Sequence, residues 1–146
     1  MTMLKSTIMP AVFCLLLSSA TTLLAEDRMR AGNWETTVIA GDGKTVTRNA
    51  CLNAHDAAMS NGSPEVIRAE TEKALAKSGG CKLKDFKIDA KSKADTMVCG
   101  SDTIHNETAF HGGDSFETTT THTSGSGGVT VAHFKGRRTG DCKPTE

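Results

Sequence analysis

The chain has 146 residues, and its 17 Lys and Arg residues balance its 17 Asp and Glu residues. A near-neutral chain with both signs mixed along it offers no electrostatic surface for nucleic acid or anionic lipid. We therefore expect no nucleic-acid partner, and a chain of this length predicts a single domain.

The first 25 residues have the pattern of a cleavable export signal. Lys5 supplies a positive charge, residues 11–17 form a short apolar stretch, and small residues permit cleavage after Ala20 or Ala25. The apolar stretch is too short for a membrane anchor, since a spanning helix needs about 20 mostly apolar residues. We expect residues 1–25 to be removed on export by a Sec-type route. Residues 26–146 then form one domain with no stable membrane insertion.

Few large apolar side chains are available to fill a core, so we expect the domain to need covalent cross-links. The whole chain contains a single Trp and no Tyr, and small domains with a thin core usually carry disulfides. Cys14 would leave with the signal, and Cys51, Cys81, Cys99 and Cys142 would remain. An even number of cysteines in an oxidising compartment predicts two disulfides.

The first predicted element of the domain is a β-hairpin. Residues 30–40 and 44–51 contain alternating β-branched residues, and Gly41-Asp42-Gly43 between them is a turn signal. Pairing about Asp42 would place four apolar side chains on one face of the hairpin: Trp34, Val38, Val46 and Ala50.

One amphipathic helix is predicted next. Ser63 is placed as its N-cap and Pro64 as its first helical residue. Residues 65–78 are rich in Ala, Glu and Lys, and Gly79-Gly80 ends the helix. Its apolar stripe is narrow, so we expect the helix to pack on the edge or face of a sheet.

Five further strands are predicted after the helix, at residues 81–89, 93–100, 103–111, 115–123 and 129–138. Successive strands joined by short turns form an antiparallel meander, and a long meander curls or closes to cover its edges. The expected fold class is mainly β (α+β). We expect a curled antiparallel meander or partly open barrel of about seven strands, with one inserted amphipathic helix and two disulfides.

The predicted strands favour one of the three disulfide connectivities that four cysteines allow. If residues 81–89 and 93–100 pair about Ala90, Cys81 lies directly opposite Cys99, close enough for a bridge. By elimination Cys51 then pairs with Cys142. Both bridges are expected to be structural.

Two of the five histidines are candidate metal ligands. Pairing the later strands about Gly113 and Ser126 puts His105, Glu107 and His133 on one face of the sheet, and two imidazoles with a carboxylate could bind zinc or copper. The other interpretation is a solvated polar face, which we favour because a slip of one residue in register would scatter the group. We therefore predict no metal site, with these three residues as the candidates for the alternative.

No sequence motif predicts catalysis or a cofactor. His111-Gly112-Gly113 occurs without a Gly-x-Ser-x-Gly nucleophile motif, and the Gly-rich stretch 124–128 is followed by Val129-Thr130 and not by the Gly-Lys-Thr of a phosphate-binding loop. The cysteines lack the close pairs that zinc sites and redox-active disulfides use. We expect a protein that is not an enzyme, with no catalytic residues.

A second face of the predicted sheet is apolar. It carries Ile104, Phe110, Phe116, Ala132 and Phe134, interleaved with Thr108, Thr118 and Thr120. This face predicts the core of the domain, and the alternative is a cavity in a curled sheet that holds an apolar ligand.

The two ends of the domain resemble a known family. Residues 30–36 match an Arg-x-Gly-x-Trp-Glu opening, and Cys51-Leu52, Cys81, Cys99 and a closing stretch at residues 137–142 complete the pattern. The chain resembles the exported bacterial proteins grouped as domain of unknown function 3617 (DUF3617). The resemblance implies a Gram-negative, periplasmic location and supplies no function.

The motif residues of the resemblance have structural interpretations. Gly32 would allow a bulge or a close approach of two backbones, Trp34 would anchor the core, and residues 138–141 would turn into the last cysteine. The function expected is that of a non-enzymatic periplasmic binding or interaction protein, with a small apolar ligand or a periplasmic protein as partner. The alternative is a metal-handling protein that uses the His and Glu face.

Overall fold

The computed structural model describes residues 27–143, which form seven strands and two helices. The strands are β1 (Gly32–Ile39), β2 (Thr45–Leu52), β3 (Cys81–Ile88), β4 (Ser92–Cys99), β5 (Asp102–His111), β6 (Ser115–Thr123) and β7 (Val129–Gly140). The helices are α1 (Ala54–Ser60) and α2 (Pro64–Lys77), both between β2 and β3. The predicted signal at residues 1–25 lies outside the described residues.

All seven strands belong to one antiparallel sheet in the order β2-β1-β7-β6-β5-β4-β3. Strands β3 to β7 form the predicted meander, and the β1–β2 hairpin joins it by pairing β1 with β7. Because β2 and β3 lie at opposite edges, the sheet is open and does not close into a barrel. The expected seven-stranded antiparallel fold is confirmed in its open form.

The structure contains one helix more than the sequence predicted. Helix α1 has seven residues and begins after Asn53, whose side chain accepts a hydrogen bond from the backbone N–H of Asp56. So short a helix makes only two turns, too few for an apolar period to be visible, and Ala57 is its one buried residue. Our prediction of a single inserted helix is corrected accordingly.

Helix α2 follows the sequence closely. The side chain of Ser63 accepts the N–H of Val66, Pro64 occupies the first turn, and Gly79 has a positive φ just beyond the end of the helix. Arg68 and Glu72 form an ion pair on the exposed side of α2. No residue of α2 is fully buried. This agrees with the narrow apolar stripe of the helix.

The two faces of the sheet differ in character. We call the face that carries Trp34, Phe110 and Phe116 the inner face, and the face that carries His105 and His133 the outer face. Trp34 is 4% exposed, and its ring centroid lies 5.8 Å from that of Phe116. This aromatic pair is the centre of a small core beneath the helices.

Both predicted disulfides are present. Cys81 lies directly opposite Cys99 in the β3–β4 pair, with 4.2 Å between the Cα atoms. Cys51 at the end of β2 is bonded to Cys142 just beyond β7, with 5.4 Å between the Cα atoms. The second bridge joins the edge hairpin to the end of the last strand.

Neither helix is long and apolar enough to cross a membrane.

Candidate functional site

An open cavity of about 260 Å³ lies between the helices and the inner face. Its apolar walls come from five side chains: Met29, Ile67, Ile88, Phe110 and Phe116. Its polar groups come from four more: Ser60, Lys93, Thr108 and Thr118. Both helices, the segment before β1 and four strands thus contribute to one site.

Strands β5 and β6 set the floor of the cavity. Phe110 is directly opposite Phe116, and Thr108 is directly opposite Thr118. The hydroxyl oxygens of the two threonines are 2.9 Å apart and share a hydrogen bond. Phe116 reaches both the cavity and Trp34, so the apolar face predicted from the sequence is core and cavity wall at once.

The cavity contains one ionisable side chain, Lys93. Its Nζ lies 3.0 Å from Oδ1 of Asp95, which is 2% exposed. Among residues 27–143 no hydrogen bond reaches that oxygen, so the Lys93 ammonium is its charge partner. A ligand anion would therefore have to compete with Asp95 for Lys93.

Asp95 begins a chain of polar contacts across the inner face. The amide Nδ2 of Asn106 donates to Oδ2 of Asp95 at 2.9 Å, and the hydroxyl of Thr120 donates to Oδ1 of Asn106 at 2.7 Å. Sequence reasoning missed Asp95. The alternation of β4 could have indicated it. Asp95 lies two residues from Met97 and opposite Phe86, so its charged side chain is on the same inward-facing side as these apolar residues.

The segment before β1 is fixed over the cavity by Arg28 and Asn61. The guanidinium of Arg28 donates to the carbonyl oxygens of Ser60 (3.0 Å), Asp89 (3.1 Å) and Gly62. The side-chain amide of Asn61 accepts the N–H groups of Arg28 and Met29 and donates to the carbonyl of Met29.

These bonds place the Met29 side chain in the cavity wall. Arg28 is only 8% exposed, and this burial lowers its pKa from the usual range, opposed by the charge of Asp89. Sequence reasoning missed Arg28 too, since no local pattern distinguishes a buried arginine from an exposed one.

The outer face carries the three candidate metal ligands, and the strand register places them as predicted. His133 lies opposite Thr119 on the neighbouring strand, with His105 and Glu107 two residues apart on β5. Nε2 of His105 is 3.7 Å from Oε1 of Glu107, and its Nδ1 is 3.0 Å from the Thr96 hydroxyl.

His133 is held separately from this pair. Its Nδ1 is 3.2 Å from the hydroxyl of Thr119, and β6 lies between it and His105. Within the described part of the chain, no three His, Cys, Asp or Glu side chains lie close enough together to hold a metal ion. The outer face therefore carries no metal proposal.

Hydrogen bonds lower the pKa of four carboxyl groups. Asp89 accepts the N–H groups of Lys91 and Ser92, which lowers its pKa. The N–H of Gly125, and then the His122 side chain, lower the pKa of Asp102 in the same way. The other two are Asp42 and Glu65. None of the four lines the cavity, and each shift favours a fixed carboxylate over a general acid.

The opening and closing motifs of the family resemblance meet at one place between β1 and β7. Gly32 has a φ of +145°, and a Cβ atom there would collide with the Arg138 side chain and the Gly140 carbonyl. The β1–β7 register shifts between Asn33 and Trp34, which is a bulge. Nε of Arg138 donates to the carbonyl of Ala31 at 2.7 Å.

Trp34 and Asp141 belong to the same cluster. The indole N–H of Trp34 donates to the carbonyl of Arg30 at 3.0 Å, and Arg138 also pairs with Asp141. A sequence model of the family described as "Protein of unknown function (DUF3617)" matches residues 29–142. The chain belongs to the DUF3617 family. No curated protein matches its sequence.

The DUF3617 match contains the whole candidate site. It begins at Met29, the first residue of the cavity wall, and ends at Cys142, the last cysteine of the disulfides. The opening and closing motifs of the family are hydrogen-bonded to each other in the structure and lie outside the cavity. Their role is to join the hairpin to β7.

Proposed function

We propose that this DUF3617 protein is a non-enzymatic binding protein of the periplasm that holds a small apolar ligand in the cavity. The observation that supports the proposal is the cavity itself, with five apolar side chains and four polar groups around about 260 Å³. Binding sites for small molecules are mostly apolar, with a few polar groups that orient the ligand.

The size and charge of the cavity restrict the ligand. Its volume lies below the range of about 300–1,000 Å³ that is typical of sites for drug-sized molecules. The charge of Lys93 is already balanced by Asp95, and the other polar groups are hydroxyls. The best fit is an uncharged molecule of a few carbon atoms with one hydroxyl or carbonyl group that reaches Thr108 or Thr118.

A binding role is favoured over catalysis by the kind of side chains around the cavity. General acid–base chemistry needs a titratable group tuned toward the working pH and placed next to the substrate. The cavity offers Lys93 in an ion pair, and the carboxyl groups with shifted pKa values lie elsewhere.

The proposed compartment depends on two observations. Residues 1–25 have the pattern of an export signal, and the two disulfides of the domain are bonds that persist in oxidising compartments such as the periplasm.

The proposal is tested by titrating the disulfide-bonded protein with 1-hexanol and recording backbone amide NMR shifts. We expect saturable shifts confined to residues around the cavity. Thr118→Leu, which fills part of the cavity, should weaken hexanol binding by at least about tenfold, equivalent to about 1.4 kcal/mol.

The matched control is Thr121→Leu, three residues along the same strand on the outer face. It introduces the same side chain without entering the cavity, so it should bind hexanol as the unmodified protein does. Shifts that do not saturate, or equal binding by the two variants, would contradict the proposal.

A further inference from the structure

Strand β2 forms an open edge of the sheet. It is regular over eight residues and pairs in one-to-one register with β1 on one side. On its other side no strand from residues 27–143 pairs with it. Seven of its eight residues are exposed, and Val46 is 51% exposed. An edge of this kind has a free row of backbone donors and acceptors.

The hydrogen bonds of the hairpin show which backbone groups are free. The N–H of Ala40 donates to the carbonyl of Lys44 at 2.8 Å. Hydrogen-bonded and non-hydrogen-bonded pairs alternate along an antiparallel ladder, so even-numbered β2 residues bond to β1. The N–H and C=O groups of Thr45, Thr47, Asn49 and Cys51 therefore point away from the sheet.

The opposite edge is protected by features that β2 lacks. Strand β3 has a register shift between Leu83 and Asp85, and Lys82, Lys84 and Lys87 lie along it. Bulges and lysines are the devices by which natural sheets block pairing at an edge. Strand β2 contains no Pro and no bulge, and Arg48 is its single charge.

We propose that β2 is the interface for a second copy of this chain, paired antiparallel about a two-fold axis at Asn49. In this register the backbones of the two Asn49 residues form hydrogen bonds with each other. The backbone of Thr47 forms hydrogen bonds with that of Cys51 of the second copy. Val46 then lies opposite Leu52 of the second copy, which covers an exposed apolar side chain.

Two other symmetric registers are less favourable. A two-fold axis at Arg48 would put two arginines directly opposite each other in a close, non-hydrogen-bonded pair, and like charges there are destabilising. An axis at Thr47 would pair only residues 45–49. The register at Asn49 places Arg48 opposite Ala50 and uses three outward-facing residues of each strand.

Self-pairing is also favoured over pairing of β2 with β3 of another copy. Pairing of unlike edges is heterologous and does not close unless it forms a ring. It would bring Arg48 toward the three lysines of β3, and the bulge at Lys84 would interrupt the ladder. Pairing of β2 with β2 is closed at two copies. This inference does not depend on the proposed ligand.

The test measures amide hydrogen exchange by NMR on the disulfide-bonded protein at micromolar and at millimolar concentration. On concentration, the mass found by sedimentation should double, and exchange at residues 47, 49 and 51 should slow by at least about tenfold. Residues 46, 48 and 50 are the internal control, because their N–H groups are bonded to β1 at both concentrations.

A pair of variants tests the same edge. Asn49→Pro removes the central N–H without removing a bond to β1, and it should leave the protein monomeric at millimolar concentration. Asn49→Ala keeps the N–H and should still dimerise. A monomer at all concentrations, a dimer without slower exchange at 47, 49 and 51, or a folded Asn49→Pro dimer would each overturn the proposal. Should Asn49→Pro fail to fold, the exchange experiment alone decides.

Discussion

At the scale of single residues, the packing of Phe116 requires a position without a side chain. Gly136 lies directly opposite Phe116 in the β6–β7 pair, and a Cβ atom on it would collide with the phenyl ring. Gly136 does not have a positive φ, so space alone requires glycine here. The ring lies over this gap and reaches Trp34.

Gly136→Ala should lower the free energy of unfolding by about 1–3 kcal/mol, the usual cost of overpacking a core. Urea unfolding followed by Trp34 fluorescence measures it. In a Phe116→Leu background the ring is gone, and the same substitution should cost less, so the two changes are coupled. Equal costs in the two backgrounds would show that the ring is not the cause.

At the scale of elements, the β3–β4 turn depends on an ionised carboxylate. Asp89 accepts the N–H groups of Lys91 and Ser92 and the hydroxyl of Ser92, and its backbone carbonyl accepts from Arg28. The first three bonds lower the pKa of Asp89 in the folded protein. The stability they contribute is complete above the unfolded pKa of about 3.9 and is lost as the pH falls through the folded value.

Asp89→Asn should therefore reduce the acid sensitivity of the fold. Asparagine can accept the same N–H bonds but has no charge to lose, so Tm should fall less between about pH 4 and pH 2 than in the unmodified protein. Thermal unfolding followed by circular dichroism gives the profile. The matched control is Asp85→Asn on the exposed side of β3, which removes a carboxylate that takes no part in the bonds of this turn. An equal change of the Tm profile in the two variants would contradict the prediction.

How far the sequence predicts the elements depends on whether the signal is local. The strands, α2 and the Cys81–Cys99 bridge follow from alternation, caps and turns near each residue. Helix α1 is too short to show a period. The pairing of β1 with β7 depends on contacts between residues near the two ends of the domain. Local sequence patterns do not predict such contacts.

The candidate site is predicted less completely for the same reason. Phe110, Phe116, Thr108 and Thr118 follow from the β5–β6 register, which the Gly112-Gly113 turn indicates. The opposite wall depends on how the helices and the segment before β1 fold over the sheet. That arrangement is held by Arg28, whose three carbonyl acceptors are 32 to 61 residues away in the chain.

At the scale of the whole molecule, the two disulfides differ in the length of chain they enclose. Cys51 and Cys142 are 91 residues apart, and Cys81 and Cys99 are 18 apart. A cross-link stabilises mainly by restricting the unfolded chain, and the effect grows slowly with loop length. The loop lengths predict about 4–5 kcal/mol for the long loop and about 3 kcal/mol for the short one.

Replacing Cys51 and Cys142 together by Ala should therefore destabilise the protein by about 1 kcal/mol more than replacing Cys81 and Cys99 together. Each double replacement leaves no free thiol among residues 27–143, so the two variants are matched. Urea unfolding at one low protein concentration compares them. A larger loss from the Cys81 and Cys99 pair would mean that native-state effects outweigh loop length.

The Cys51–Cys142 bond also determines what a protease can release. Every residue between the two cysteines belongs to one covalent ring, so a single nick in any loop from α1 to the end of β7 leaves one connected molecule. The turn at residues 40–44 lies outside the ring. A nick there would leave β1 without a covalent link to the rest of the domain, held by the ladders on its two sides, by Trp34 and by the hydrogen bonds of Arg28.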